Sequence, residues 1–300
     1  MRIFLTGATG YLGAASLDAF QRGGHHVTAL VRTREQAARL DARGVSAAVG
    51  NLGDPKSYRN VAGGSDAWVH TAFEYSDRGA EVDRIAIDTL IDAAGERKSG
   101  CLLYTSGIWV LGHQRTPVDE EAAVNPAAMV AWRPAHERRV LDAAGGSLRT
   151  IVVRPGIVYG GSRGIVGDFF KDARNGLMRI VGSGENHWPL LYDRDLGDLY
   201  ARLVASPSAS GVYHATDEGH ERVIDVAEAI AGVMAVRPEI RRMPLEEARS
   251  KMGPYADALA LDQMVRSPRA RTLGWTPSLR SVASNTSRLL EEWRRGTETE

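Results

Sequence analysis

A doubly wound α/β fold with a parallel sheet is what this sequence of 300 residues predicts, on three observations. Short runs that are apolar throughout alternate with segments of helical period from Arg2 to Arg154. The helical segments repeatedly close on glycine, as helices that return to a buried sheet do. A glycine turn follows the first strand directly and opens the first helix.

The elements follow in order. RIFLT is a strand, YLGAASLDAFQRG a helix, HVTALV a strand, EQAARLDARG a helix and VSAAVG a strand. DAWVHTA, CLLYTS and LRTIVVR continue the sheet, with VDRIAIDTLIDAAGE and HERRVLDAAG as the intervening helices. Beyond Tyr159 the rhythm breaks. YGGSRGIVGDFFKDARNGLMRIVGSGENHWPLL is rich in glycine and aromatics and is expected to form loops and a short strand. A helix returns at DLGDLYARLVA, a strand at GVYHAT, and helices at VIDVAEAIAGVM and RLLEEWRRG, with a frayed tail GTETE. This pattern divides the chain into a main sheet domain, 1–158 with returning elements at about 192–215, and a smaller lobe, 159–191 and 216–300.

Composition narrows the function. Lysine plus arginine (37) balances aspartate plus glutamate (37), and no basic run is interleaved with aromatics, so nucleic acid is not an expected partner. The one cysteine, Cys101, sits in an apolar run and reads as a buried strand thiol, and no Cys/His spacing suggests a metal. No apolar stretch reaches the roughly 20 residues of a membrane span, and no leader pattern opens the chain, so a cytoplasmic location is expected.

TGATGYLG presents Gly7-x-x-Gly10-x-x-Gly13 between a strand and a helix. That context demands a tight turn, close approach of backbone to a pyrophosphate and close helix packing, so Gly7, Thr9, Gly10, Tyr11, Leu12 and Gly13 are expected to bind a dinucleotide. The second strand ends in Val31, Arg32, Thr33 and Arg34, with no acid to accept a ribose 2′-hydroxyl. Arg32, with Arg34 beside it, can instead pair with a 2′-phosphate through its guanidinium fork. NADP(H) is the expected cofactor, with NAD(H) the alternative.

These residues resemble the extended and atypical short-chain dehydrogenase/reductases, the superfamily of sugar-nucleotide epimerases and related ketoreductases built on the Rossmann sheet. The likeness runs through TGATGYLG, HTAF, YTSG, VVRPGIVYG, LLYDRDLGDLYARLV and LGWTP, nearly the whole chain. It implies that Asn51 and Leu52 flank the adenine, that Thr71, Ala72 and Phe73 lie under the ribose, and that Thr105, Pro155, Gly156 and Val158 approach the nicotinamide. It also implies a catalytic tyrosine, a lysine four residues on, and a serine.

The catalytic pattern is absent. The residues four before Lys56, Lys98, Lys171 and Lys251 are Leu52, Ala94, Gly167 and Glu247, so no Tyr-x-x-x-Lys exists. In NPAAMVAWRPAHERRVL, aligning on Glu137 and Val140 puts Met129 at the tyrosine and Arg133 at the lysine. Aligning on aromaticity puts Trp132 and His136 there instead. Pro134 places the start of the helix nearby. The serine position falls on Gly107, with Ser106 its neighbour. Ser106, Arg133 and His136 are therefore the catalytic candidates.

Losing a positioned general acid costs roughly 10²- to 10⁴-fold, about 3 to 5.5 kcal/mol. Positioning of the hydride donor can offset that, so reduction survives if the proton has another source. His136, Ser106, Tyr159, water and the substrate's own acidic hydroxyl are the options, and a phenol beside the ketone is the favoured one. Trp109, Met129, Trp132, Tyr159, Phe169, Phe170, His187 and Trp188 suit a flat aromatic substrate. The expected activity is NADPH-dependent reduction of a polyketide-like ketone in secondary metabolism. The alternatives are a non-catalytic cofactor sensor and a sugar-nucleotide epimerase or dehydratase.

Overall fold

The computed structural model describes residues 1–95 and 100–299. In chain order the elements are β1 (Arg2–Thr6), α1 (Tyr11–Arg22), β2 (His26–Val31), α2 (Arg34–Asp41), β3 (Ser46–Val49), α3 (Arg59–Ala62), β4 (Ala67–His70), α4 (Gly79–Gly95), β5 (Gly100–Thr105), β6 (Gln114–Val118), α5 (Arg133–Asp142) and β7 (Leu148–Pro155). There follow β8 (Ile157–Tyr159), α6 (Gly164–Arg174), β9 (Leu177–Val181), β10 (His187–Trp188), β11 (Leu190–Tyr192), α7 (Asp193–Ala205), β12 (Gly211–Ala215), β13 (Glu221–Arg222) and α8 (Val223–Val233). The chain ends with β14 (Glu239–Met243), α9 (Leu245–Met252), α10 (Tyr255–Leu259), β15 (Gln263–Val265), α11 (Pro268–Thr272) and α12 (Thr286–Thr299).

Two compact units emerge. The first comprises Met1–Ser106, Trp132–Arg154 and Leu196–Tyr213. Its seven-stranded sheet has the order β12-β7-β5-β4-β1-β2-β3, with parallel register from β3 across to β7. Strand order reverses between β1 and β4, the switch point beyond whose carboxyl ends such sheets bind ligands. Strand and helix side chains such as Phe4, Trp68, Leu90, Leu102 and Val140 close one core, with Phe4 stacked on Tyr58 at 6.0 Å.

The second unit comprises Gly107–Ala131, Pro155–Asp195 and His214–Glu300. It holds four two-stranded ribbons, among them the parallel β9–β14 and β8–β11 pairs. Here the sequence reading needs correction. The glycine-rich stretch after Tyr159 contains α6, because Val166, Phe169, Phe170 and Ala173 fall at helical spacing and are buried together. The glycine count hid that period. The tail expected to fray continues α12 as far as Thr299. Glu96 and Glu300, assigned to helix and tail by sequence, lie outside the described residues.

Candidate active site

The first unit holds the glycine turn. Gly7 has φ +80°, where L-residues are strained, and a Cβ there would meet the Ala72 nitrogen and the Thr71 hydroxyl, each at 2.7 Å. A Cβ on Gly13 would collide with the Gly7 carbonyl. The turn is therefore closed by the residues that follow β4, and α1 begins at Tyr11, its N-cap Gly10 making no side-chain cap. Thr9 is exposed and Gly10, Tyr11 and Leu12 are half-buried, so a pyrophosphate can approach the helix end. The residues present fit a dinucleotide.

Arg32 and Arg34 are exposed, and neither guanidinium has an ion-pair partner among the described residues. Thr33 between them caps α2 by accepting from the Gln36 amide at 3.2 Å, and Gln36 Oε1 accepts from the Arg32 amide at 3.0 Å. The backbone is thus fixed while both cations stay available. Asn51 folds its own loop, with Oδ1 accepting from the Gly53 amide at 2.8 Å, and leaves Leu52 half-buried beside it. Thr71 donates to the Thr6 carbonyl at 2.7 Å, and Thr105 bonds the Tyr200 hydroxyl at 2.8 Å.

The stretch that lacks tyrosine and lysine builds a different cluster. α5 starts at Arg133, with Trp132 as its N-cap residue and Pro134 inside the first turn. Arg133 Nη1 donates to the Thr105 carbonyl at 3.2 Å, and its guanidinium lies 4.6 Å from the Trp132 ring centre and 5.6 Å from that of Phe73. Phe73 and Trp132 stack within 7° of parallel at 5.5 Å. A cation flanked by two rings therefore stands at the carboxyl end of β5.

Behind it lies a buried carboxylate. Asp83 of α4 is 3% exposed and accepts from His136 Nδ1 at 2.7 Å and from the Tyr104 hydroxyl at 2.9 Å. His70 Nε2 approaches at 3.3 Å without the alignment of a hydrogen bond, and His70 Nδ1 is 2.6 Å from the Thr6 hydroxyl. Burial alone would raise the Asp83 carboxyl, but the His136 hydrogen bond, the closeness of His70 and the charge of Arg133 outweigh it and hold the group below the usual range. Burial and the Asp83 charge push Tyr104 far up, so its phenol stays protonated.

Ser106 does not offer a free hydroxyl. It donates to Glu137, which also receives Arg154 in a bidentate pair, Nε to Oε1 at 3.0 Å and Nη2 to Oε2 at 2.6 Å. As a catalytic hydroxyl it is withdrawn.

Several expected substrate contacts prove to be core of the second unit. Tyr159 is fully buried, and its hydroxyl lies 3.4 Å from Asp217. Phe169 and Trp188 pack on each other at 5.6 Å, with Phe170 buried beside them and the indole of Trp188 donating to the Leu259 carbonyl at 3.1 Å. Trp109 and Met129 keep exposed surface, Trp109 meeting Tyr255 edge-on at 5.9 Å. His187 Nδ1 pairs with Asp262 at 2.9 Å. Pro155, Gly156 and Val158 also belong to this unit. Gly156 bonds the Ala215 carbonyl at 2.9 Å, and a Cβ on it would strike the Pro189 carbonyl.

Asp83, His70, Thr6 and Glu137 escaped the sequence reading as functional groups. The signal was present in α4. Val82, Asp83, Ala86, Ile87 and Leu90 form its buried stripe, and one of them is charged.

Fold and site define an NAD(P)-dependent oxidoreductase-type enzyme of the atypical short-chain dehydrogenase/reductase class. The chain belongs to the NAD(P)H-binding family, whose pattern matches residues 7–169. It is 30% identical over 288 residues to protein C2A9.02 of Schizosaccharomyces pombe, covering 93% of this chain and 95% of that one. It is 27% identical over 264 residues to the 4-hydroxy-2-methyl-3-oxo-4-farnesyl-3,4-dihydroquinoline-1-oxide ketoreductase of Stigmatella aurantiaca, covering 83% of this chain and 78% of that one. Among solved structures, the human epimerase family protein SDR39U1 with NADPH superimposes with a TM-score of 0.77 at 19% identity, over 97% of this chain and 99% of that one. Among the described residues, no helix is long and apolar enough to cross a membrane.

Proposed function

We propose that the protein is an NADPH-dependent ketoreductase acting on an aromatic, polyketide-like ketone in a tailoring step of antibiotic-type metabolism. The observation that carries it is Arg133, a permanent cation anchored on the Thr105 carbonyl at the carboxyl edge of β5. A fixed positive donor there suits the negative charge that grows on a carbonyl oxygen during reduction. The Stigmatella relative is, by its name, the ketoreductase of a 3-oxo-3,4-dihydroquinoline-1-oxide, a ketone on a ring fused to a benzene ring, which favours the same substrate class.

Gly7, Thr9, Gly10, Tyr11, Leu12 and Gly13 would hold the pyrophosphate, Arg32 and Arg34 the 2′-phosphate, and Asn51 and Leu52 the adenine. Thr71, Ala72, Phe73 and Thr105 of the first unit would take the ribose and nicotinamide. When bound, the reduced nicotinamide supplies the hydride and both electrons. Arg133 stabilises the developing alkoxide, and Phe73 with Trp132 offers a flat apolar wall. No tyrosine donates the proton: Tyr104 is committed to Asp83 and Tyr159 is sealed beside Asp217. The proton comes from the substrate's own acidic hydroxyl or from water. The test is NADPH oxidation across a panel of aromatic ketones with and without an adjacent phenol. Tight NADPH binding with no turnover on any of them would replace this reading with that of a cofactor sensor.

A further inference from the structure

We propose that His136 is the group through which a water-derived proton reaches the new alkoxide, and that Asp83 is a buried residue positioning it. The inference rests on the ketoreductase reading and names the proton path that reading leaves open.

An ionised carboxylate only accepts, so the 2.7 Å contact between Asp83 Oδ2 and His136 Nδ1 places a hydrogen on Nδ1. The proton that can be exchanged is then the one on Nε2. That atom has no partner among the described residues, and the His136 side chain keeps 10% of its surface exposed, whereas His70 Nε2 is sealed. The ring meets Trp132 edge-on at 4.8 Å, one turn beyond Arg133 in the first turns of α5.

The other groups around the pair do not compete. Tyr104 from β5 gives its hydroxyl to the same Asp83 oxygen, and His70 from β4 stands 3.3 Å from the other oxygen with its far nitrogen on Thr6. Arg133 on α5 contributes positive charge to Asp83. Glu137, next in sequence, is neutralised by Arg154 of β7 and bonded by Ser106. Asp83 is thus ringed by donors that keep it ionised, and His136 is the one of them with an outer nitrogen left over.

The step balances. The carbonyl carbon gains the hydride with its electron pair as the nicotinamide is oxidised, and the carbonyl π pair becomes an alkoxide lone pair. The alkoxide takes the proton from Nε2, leaving a neutral imidazole with its hydrogen on Nδ1. A proton taken up from bulk solvent through water then restores Nε2–H, so the reduction consumes one proton from solution. The arrangement resembles other His–carboxylate pairs in which the acid fixes the tautomer and supports the imidazolium.

Two measurements on the full chain test this. The first is the pH profile of kcat/KM with NADPH and a ketone turned over by the wild type, run from about pH 5 to pH 9 to bracket an imidazole. His136→Gln should lose about 100-fold or more in kcat, with KM and NADPH affinity changed by less than about threefold. Asp83→Asn should keep part of the activity and lose it in kcat rather than in KM, because the amide no longer fixes the hydrogen on Nδ1. His136→Asn, whose amide can still reach Asp83, guards against misreading a folding defect in His136→Gln. The second measurement is imidazole 15N NMR of the free protein, assigned by the resonance that disappears in the His136 variants. The neutral wild-type ring should carry hydrogen on Nδ1, and Asp83→Asn should mix the tautomers.

A His136→Gln enzyme with wild-type kcat and pH profile overturns the proposal. So does a wild-type ring with its hydrogen on Nε2. Absence of turnover by the wild type on every ketone overturns the ketoreductase reading itself and the proton path with it. In that case the tautomer still decides whether Asp83 orients the ring.

Discussion

Arg154 offers a sharp test of what holds α5 against the sheet. Its guanidinium is 5% exposed and grips Glu137, itself 3% exposed, through three contacts of 3.0, 3.2 and 2.6 Å. In Arg154→Met the carboxylate would keep only the Ser106 hydroxyl. Removing one member of a buried pair costs about 3–5 kcal/mol, because an uncompensated charge is left in low dielectric. A chain of this length has an unfolding entropy of roughly 0.6 kcal/mol/K near its midpoint, so the Tm should fall by about 5–8 °C. The assay is far-UV circular dichroism against temperature at fixed protein concentration. The double variant Arg154→Met with Glu137→Leu removes both charges and should recover most of the loss. A single-variant loss under about 1 kcal/mol, or a double variant no better than the single, would refute the reasoning.

Gly7→Ala places a methyl against Ala72 and Thr71 at a φ of +80° and should abolish NADPH binding in a fluorescence titration while the chain still folds. Arg32→Ala removes a charge-assisted contact of about 1.5–3 kcal/mol, so the preference for NADPH over NADH should drop about 10- to 100-fold, and an unchanged ratio counts against 2′-phosphate binding. Tyr159→Phe should leave kcat unchanged, since the hydroxyl faces Asp217 inside the second unit. Burial pushes the Asp217 carboxyl up to about 7, whereas an unfolded aspartate releases its proton near 3.9. Between those values the native state binds more protons than the unfolded one, so this group lowers stability as pH rises through that window. Asp217→Asn should flatten the decline, as followed by urea unfolding at several pH values.

The fold was legible because its determinants are local. Apolar strands, glycine stops and the turn at Gly7 to Gly13 each announce themselves within a few residues, and β1 and β2 have the bounds the pattern suggests. Where a local signal misleads, as the glycines around α6 do, the error is local too. The site was legible only in part. Arg133 and His136 were found as substitutes in a known register, but Asp83 lies 53 residues from His136, and nothing nearby tells that a helix carboxylate is paired rather than solvated. Likewise the aromatic residues after Tyr159 carry no mark separating a substrate wall from a core. Three-dimensional packing makes that distinction for Phe169 and Trp188.

The ring of donors around Asp83 has a consequence for how the chain is made. Its partners come from β4, β5 and α5, and the last to leave a ribosome is His136, long after the carboxylate itself. Until α5 emerges, a nascent chain that has assembled β1 to β5 holds an aspartate it can neither bury with its full set of partners nor expose without undoing the sheet contacts of α4. Full pairing of that carboxylate is thereby timed to the arrival of residues 133–142, before β7 and the returning segment Leu196–Tyr213 complete the first unit.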